Sequence, residues 1–168
     1  IDTPDVIARL DDTRLFAEGY PSAKKQKMLL IEMSRYIERR AWNVGEGHLH
    51  SGFQRLSRID DESGTREVYE RLTETDLAVH AYGVPDWDPN IGVIDHGRDT
   101  DDMRRSWFVV FQPPRDEERK VALVAYKPEL GRNEWRAFWT HDPDRVDEVT
   151  AYLHERYVEE TPAGPPGA

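Results

Sequence analysis

The chain contains no cysteine. Disulfides, thiolate metal sites and cysteine nucleophiles are therefore excluded, and a reducing compartment fits. Lysine is scarce, with five residues against 18 arginines, and positive charge is in deficit throughout: the net charge is -10 and the acids are spread along the whole length. A surface that is negative everywhere argues against nucleic acid and against an anionic membrane as partners, because both are recognised through cationic patches. No apolar run approaches the ~20 residues that span a bilayer, and Ile1 to Asp5 does not open a signal peptide, so a cytoplasmic location is expected. Only 38% of the residues are apolar. Many acids, few lysines and a lean core read together as a halophilic, acidic protein, for which high salt screens the self-repulsion. Phosphate-cradling and dinucleotide-binding glycine motifs are missing. Ser51, followed by Gly52, lacks the preceding glycine of a nucleophile elbow.

The 168 residues have the length of one domain, enough to bury roughly 70% of the unfolded surface without a metal or disulfide staple. We assign residues 1–160 to it and 161–168, rich in proline and glycine, to a disordered tail. Thr3 and Pro4 open a helix expected to run to about Ala17. The best amphipathic helix spans Lys24 to Trp42, with Leu30, Met33, Ile37 and Ala41 at helical spacing. Gly45 and Gly47 mark a reversal into a strand, His48 to Gln54. A short helix over Thr65 to Thr75 and a strand over Asp76 to Gly83 complete a βαβ unit, whose strands should be parallel neighbours. Val84 to Arg105 reads as a long irregular segment, with a brief strand near Ile91 to Ile94. Ser106 to Gln112, Lys120 to Lys127 and Glu134 to Thr140 follow at hairpin spacing, an antiparallel meander. Asp142 and Pro143 then open the last helix as N-cap and first-turn proline. The fold class is α/β: a mixed sheet of four to five strands, one βαβ unit followed by a meander, flanked by about four helices.

Several constellations bear on chemistry. His48 and His50 alternate on one strand and so point to the same side, with His80 on the strand expected beside them. Three imidazoles there could ligate a transition metal, or serve an enzyme acting on a nucleotide or small metabolite. A histidine pair in a strand defines neither by itself, so no metal, cofactor or catalytic residue is assigned. Asp86, Asp88 and Asn90 recur at every second position like the start of a calcium loop, but the glycine comes one residue late and Gly97 stands where the bidentate Glu belongs. Parallel strands present ligand sites at their carboxyl ends. The expected cleft is therefore lined by Phe53, Gln54, Arg55, Tyr82, Gly83 and Asp86, with Trp107 or Trp139 as walls.

The series Lys24, Lys25, Ser34, Ile37 and Glu38, then Ser51 to Gln54, Tyr69, Tyr82 to Asp86, Trp107 to Val110 and Phe138 to Pro143 resembles the DICT sensory domain, over about Pro21 to Leu153. That resemblance implies a signalling input domain with an α/β fold, associated with light or redox responses and found as stand-alone proteins in haloarchaea. No catalytic residue or cofactor carries over from it. It implies a non-catalytic sensory or adaptor domain of prokaryotic signal transduction, partnered by a histidine kinase, a response regulator or a similar protein. The alternative is a homodimeric interaction module built on the over-apolar helix, with Trp42 as anchor.

Overall fold

The computed structural model describes residues 15–16, 21–61, 64–128 and 134–159. Apart from Leu15 and Phe16, the helix expected over Pro4 to Ala17 lies outside the described residues, as does the tail 161–168. Leu15 donates its N–H to the Ala137 carbonyl at 2.8 Å, and Phe16 is buried in the core.

Helix α1 runs from Ala23 to Val44. Leu30, Ile37 and Ala41 are fully buried, and Ser34 and Glu38 lie on the same buried stripe. The helix stops at Gly45, whose left-handed conformation (φ 73°) lets its N–H bond the Ala41 carbonyl at 2.8 Å; glycine adopts that conformation without a Cβ penalty. Strand β1 (Glu46–Arg55) follows directly. Two short helices, α2 (Arg58–Asp61) and α3 (Thr65–Thr73), lead into β2 (Asp76–Val84). β1 and β2 are parallel, with His50 opposite His80 and Gly52 opposite Tyr82.

The sheet has six strands, in the order β3-β2-β1-β4-β5-β6, which corrects the expected four to five. The addition is β3 (Ile94–Gly97), parallel to β2, followed by helix α4 (Asp101–Arg105), so the segment expected to be irregular is partly regular. β3 is an edge strand with no buried side chain. It pairs with β2 through its backbone, with the His96 ring stacked on His80 and Tyr82, and carries no apolar alternation for the sequence to display. β4 (Ser106–Gln112), β5 (Val121–Tyr126) and β6 (Arg136–Thr140) form the antiparallel meander, and β4 pairs antiparallel with β1. Helix α5 (Pro143–Leu153) begins where the Asp142 carboxylate accepts the Asp144 N–H at 3.0 Å, and continues as a π-helical segment, His154–Glu159. Five α-helices thus flank the sheet among the described residues.

Strand alternation divides the core into two. Leu49, Val79, Val109, Phe111 and Leu123 pack beneath α1 and α3, while Phe108, Val110, Val124 and Phe138 pack with Val146, Val149 and Leu153 of α5. β5 is buried at all six positions because helices cover both its faces. α5 lies over β4 and β5. On that side β1 and β2 present His48, His50 and His80 instead of aliphatic residues.

Candidate functional site

The polar interruptions of the α1 stripe mark the site. Ser34, Arg35 and Glu38 of α1 face Ser51, Gly52 and Phe53 of β1, Thr65 and Tyr69 of α3, and Trp107 and Val109 of β4; with Ile31 and Arg58 they enclose a cavity of about 280 Å³. It lies on the α1 face of the sheet, in the C-terminal half of β1. Phe53, Trp107, Ile31 and Val109 supply apolar walls, and Phe53 stands edge-on to Tyr69 with ring centroids 5.2 Å apart.

The floor carries two runs of hydrogen bonds. The Tyr69 hydroxyl donates to Glu38 Oε2 and lies 2.7 Å from Ser51 Oγ. A phenol has one proton, so Ser51 must be the donor in the second contact. Arg35 bridges the other side, donating to Glu38 Oε1 and to Thr65 Oγ1, both at 2.6 Å. The Trp107 indole N–H donates to Ser34 Oγ at 3.0 Å, and Ser34 passes its own proton to the Leu30 carbonyl at 2.7 Å. Burial pushes the Glu38 carboxyl above the usual carboxylate range, only partly offset by the Arg35 charge and the Tyr69 hydrogen bond. Burial, reinforced by Glu38, raises the Tyr69 hydroxyl well above its ordinary value. Tyr69 therefore remains a phenol throughout the working pH range. Among the described residues, the Ser51 proton points at a phenol and not at a base. The arrangement sets fixed donors and acceptors beside apolar walls, the composition that small-ligand pockets commonly have.

Of the residues expected to line a cleft, the structure brings Phe53 and Trp107 into this cavity. The remaining six have other surroundings. Gln54 adopts a positive φ of 67° at a register shift of β1, and its Nε2 donates to the Arg104 carbonyl at 2.8 Å. Its Oε1 is buried without a hydrogen-bond partner among the described residues. Arg55 is exposed. Tyr82 lies on the opposite face of the sheet, 2.8 Å from His50 Nδ1. Gly83 sits against the backbone, where a Cβ would come within 2.9 Å of the Leu56 nitrogen. Asp86 accepts the Ser57 N–H at 2.9 Å and the Ser57 hydroxyl at 2.7 Å. Its carboxyl is held below the ordinary range, partial burial being outweighed by those bonds from Ser57. Trp139 packs on Tyr36, with centroids 5.6 Å apart. The β1 and β2 ends do emerge side by side, as expected, and Gln54 closes the space between them and α4.

Sequence reasoning did not assign Glu38, Tyr69, Ser51, Arg35, Ser34 or Thr65 to a site. A signal existed in α1: Ser34 and Glu38, four residues apart, share a stripe with Leu30, Ile37 and Ala41 that is otherwise apolar. A buried carboxylate on a helix face requires partners from elsewhere in the fold.

Fold and cavity together describe a mixed α/β domain with a part-polar, part-aromatic cavity against its sheet. The family model for DICT, described as a sensory domain in diguanylate cyclases and two-component systems, matches residues 6–128. The chain belongs to the DICT family. No curated protein and no solved structure matches it. Among the described residues no helix is long and apolar enough to cross a membrane.

Proposed function

We propose that this chain is a non-catalytic sensory domain whose stimulus is a small molecule held in the α1–β1–β4 cavity, and that occupancy is reported to a signalling partner such as a histidine kinase or response regulator. The observation that carries the reading is the pre-organised polar floor beneath aromatic walls. At about 280 Å³ the cavity lies just below the small end of the roughly 300–1,000 Å³ range of ligand pockets. It suits a planar metabolite of one or two fused rings, with Phe53 and Trp107 covering its faces and a polar edge meeting Arg35 and Glu38. α1 supplies Ser34, Arg35 and Glu38 to the cavity while its outer side exposes Met28, Leu29 and Trp42. A ligand that repositions α1 from within therefore alters what a partner meets outside. The acidic surface suits a cytoplasm of high salt, where this exchange takes place.

Calorimetric screening of aromatic metabolites against the purified chain in molar salt tests the proposal. A ligand is expected whose affinity falls at least tenfold in Phe53→Ala and vanishes in Ile31→Trp, which fills the cavity. Undiminished binding to a folded Ile31→Trp variant overturns it. Co-purification from the native host identifies the partner. Exposure of Trp42 and Leu29 favours a second reading, a homodimer through α1. Sedimentation that finds a monomer at micromolar concentration removes that reading.

A further inference from the structure

The opposite face of the sheet holds a second cluster of side chains that the sensory reading does not use. His48 and His50 of β1, His80 of β2 and His96 of β3 form a layer of imidazoles. Ring centroids are 4.4 Å apart for His50 and His80, 5.3 Å for His48 and His80, and 5.1 Å for His80 and His96. One ring nitrogen from each of His48, His50 and His80 lies within 4.8 Å of the other two.

The hydrogen bonds indicate which nitrogens face the gap. His50 Nδ1 is 2.8 Å from the Tyr82 hydroxyl, and His80 Nδ1 is 2.8 Å from His96 Nε2. Both Nδ1 atoms are thus tied to an orienting partner, which leaves Nε2 of each ring as the ligating atom. His48 Nδ1 already stands 3.1 Å from His80 Nε2. Two nitrogens bound tetrahedrally to one zinc ion at 2.0–2.1 Å are separated by about 3.3 Å, so this pair is close to a ligating separation. Outer partners that fix the ring and tautomer are the usual second layer of a histidine metal site. His48 is exposed, and its rotamer is free to close the remaining distance.

We propose that His48 Nδ1, His50 Nε2 and His80 Nε2 bind one divalent transition-metal ion of the zinc, cobalt or nickel type, oriented by Tyr82 and His96, with a fourth position open to water. Three imidazoles and no thiolate suit these ions, whereas magnesium and calcium require oxygen ligands. For His48 Nδ1 to ligate, the proton that bridges it to His80 moves to His48 Nε2. The open position leaves room for an exogenous donor.

The test uses the untagged, chelator-treated full chain, titrated with zinc chloride by calorimetry and with cobalt chloride by visible absorption. One equivalent of each ion is expected, with the intense visible bands of four-coordinate cobalt. His48→Gln and His80→Gln should each weaken binding at least tenfold, His96→Gln should weaken it by a smaller factor, and His141→Gln, distant from the cluster, should leave it unchanged. His48 is exposed, so its variant keeps the fold, which circular dichroism verifies. Absence of binding at millimolar metal overturns the assignment. Affinity unchanged in both His48→Gln and His80→Gln, or weakened instead by His141→Gln, does so too. Because the cavity lies across the sheet, neither result bears on ligand binding there.

Discussion

Lowering the pH of the metal-free protein from 7 to 5 tests the burial of the histidine layer. His50 is 7% exposed and surrounded by His48 from β1, His80 and Tyr82 from β2, His96 from β3 and His154 from the π-helical segment. Burial first, and then the neighbouring imidazoles, bring its folded pKa down to about 3 from the ordinary 6.5 of histidine. The unfolded chain takes up the proton near 6.5 and the folded chain does not. Stability from this residue is therefore complete above pH 6.5 and is lost progressively as the pH falls toward about 3. Each pH unit in that window costs about 1.4 kcal/mol, so His50 alone removes roughly 2 kcal/mol at pH 5. His80 adds a smaller share, because its half-exposed ring is screened by solvent. Against a total stability of roughly 5–15 kcal/mol, the loss is readily measurable. Urea denaturation at pH 7 and pH 5, with chelator present, should show the wild type losing about 2 kcal/mol more than His50→Gln. Carboxylate protonation is common to both proteins and cancels. Equal losses in the two would refute the placement of His50 as a buried neutral imidazole.

Three further outcomes follow from packing and hydrogen bonding. Tyr69→Phe removes the hydroxyl that donates to Glu38 and accepts from Ser51; leaving the buried carboxylate short of a donor should cost about 1–3 kcal/mol in urea, and a neutral result would show that the chain contributes nothing to stability. Gly52→Ala places a Cβ 2.4 Å from Phe108 Cε1. The buried ring must shift, at a cost of about 1–3 kcal/mol, and an unchanged melting temperature would contradict that close approach. Asp142→Ala removes the cap that accepts the Asp144 N–H and should cost about 1 kcal/mol, read from thermal unfolding, with Asp142→Ser recovering most of it.

How much could be read in advance follows from what each feature depends on. α1, β1, β2 and the meander were legible because each has its own periodicity or cap: Leu30, Ile37 and Ala41 in α1, Gly45 at its end, and Asp142 before Pro143. The parallel pairing of β1 with β2 followed from the helix between them. The brief strand expected near Ile91 to Ile94 lies at Ile94–Gly97 instead; it buries no side chain, so no apolar alternation marks its bounds, and they are set by pairing with β2. Gln54 was expected to meet a ligand, but its positive φ turns it to the Arg104 carbonyl, and nothing in its neighbours announces that turn.

The histidine layer lies between these cases. Alternation placed His48 and His50 on one side and the βαβ unit brought His80 beside them, but His96 joined only once β3 was paired. The cavity depended on tertiary structure almost entirely. Its hydrogen bonds join Ser34 to Trp107 across 73 residues and Glu38 to Tyr69 across 31. Periodicity and capping are properties of neighbouring residues and can be read along the chain. The meeting of a helix carboxylate with a phenol from another helix and a serine from a strand depends on which faces the sheet turns toward which helices, and that is decided only when the layers pack.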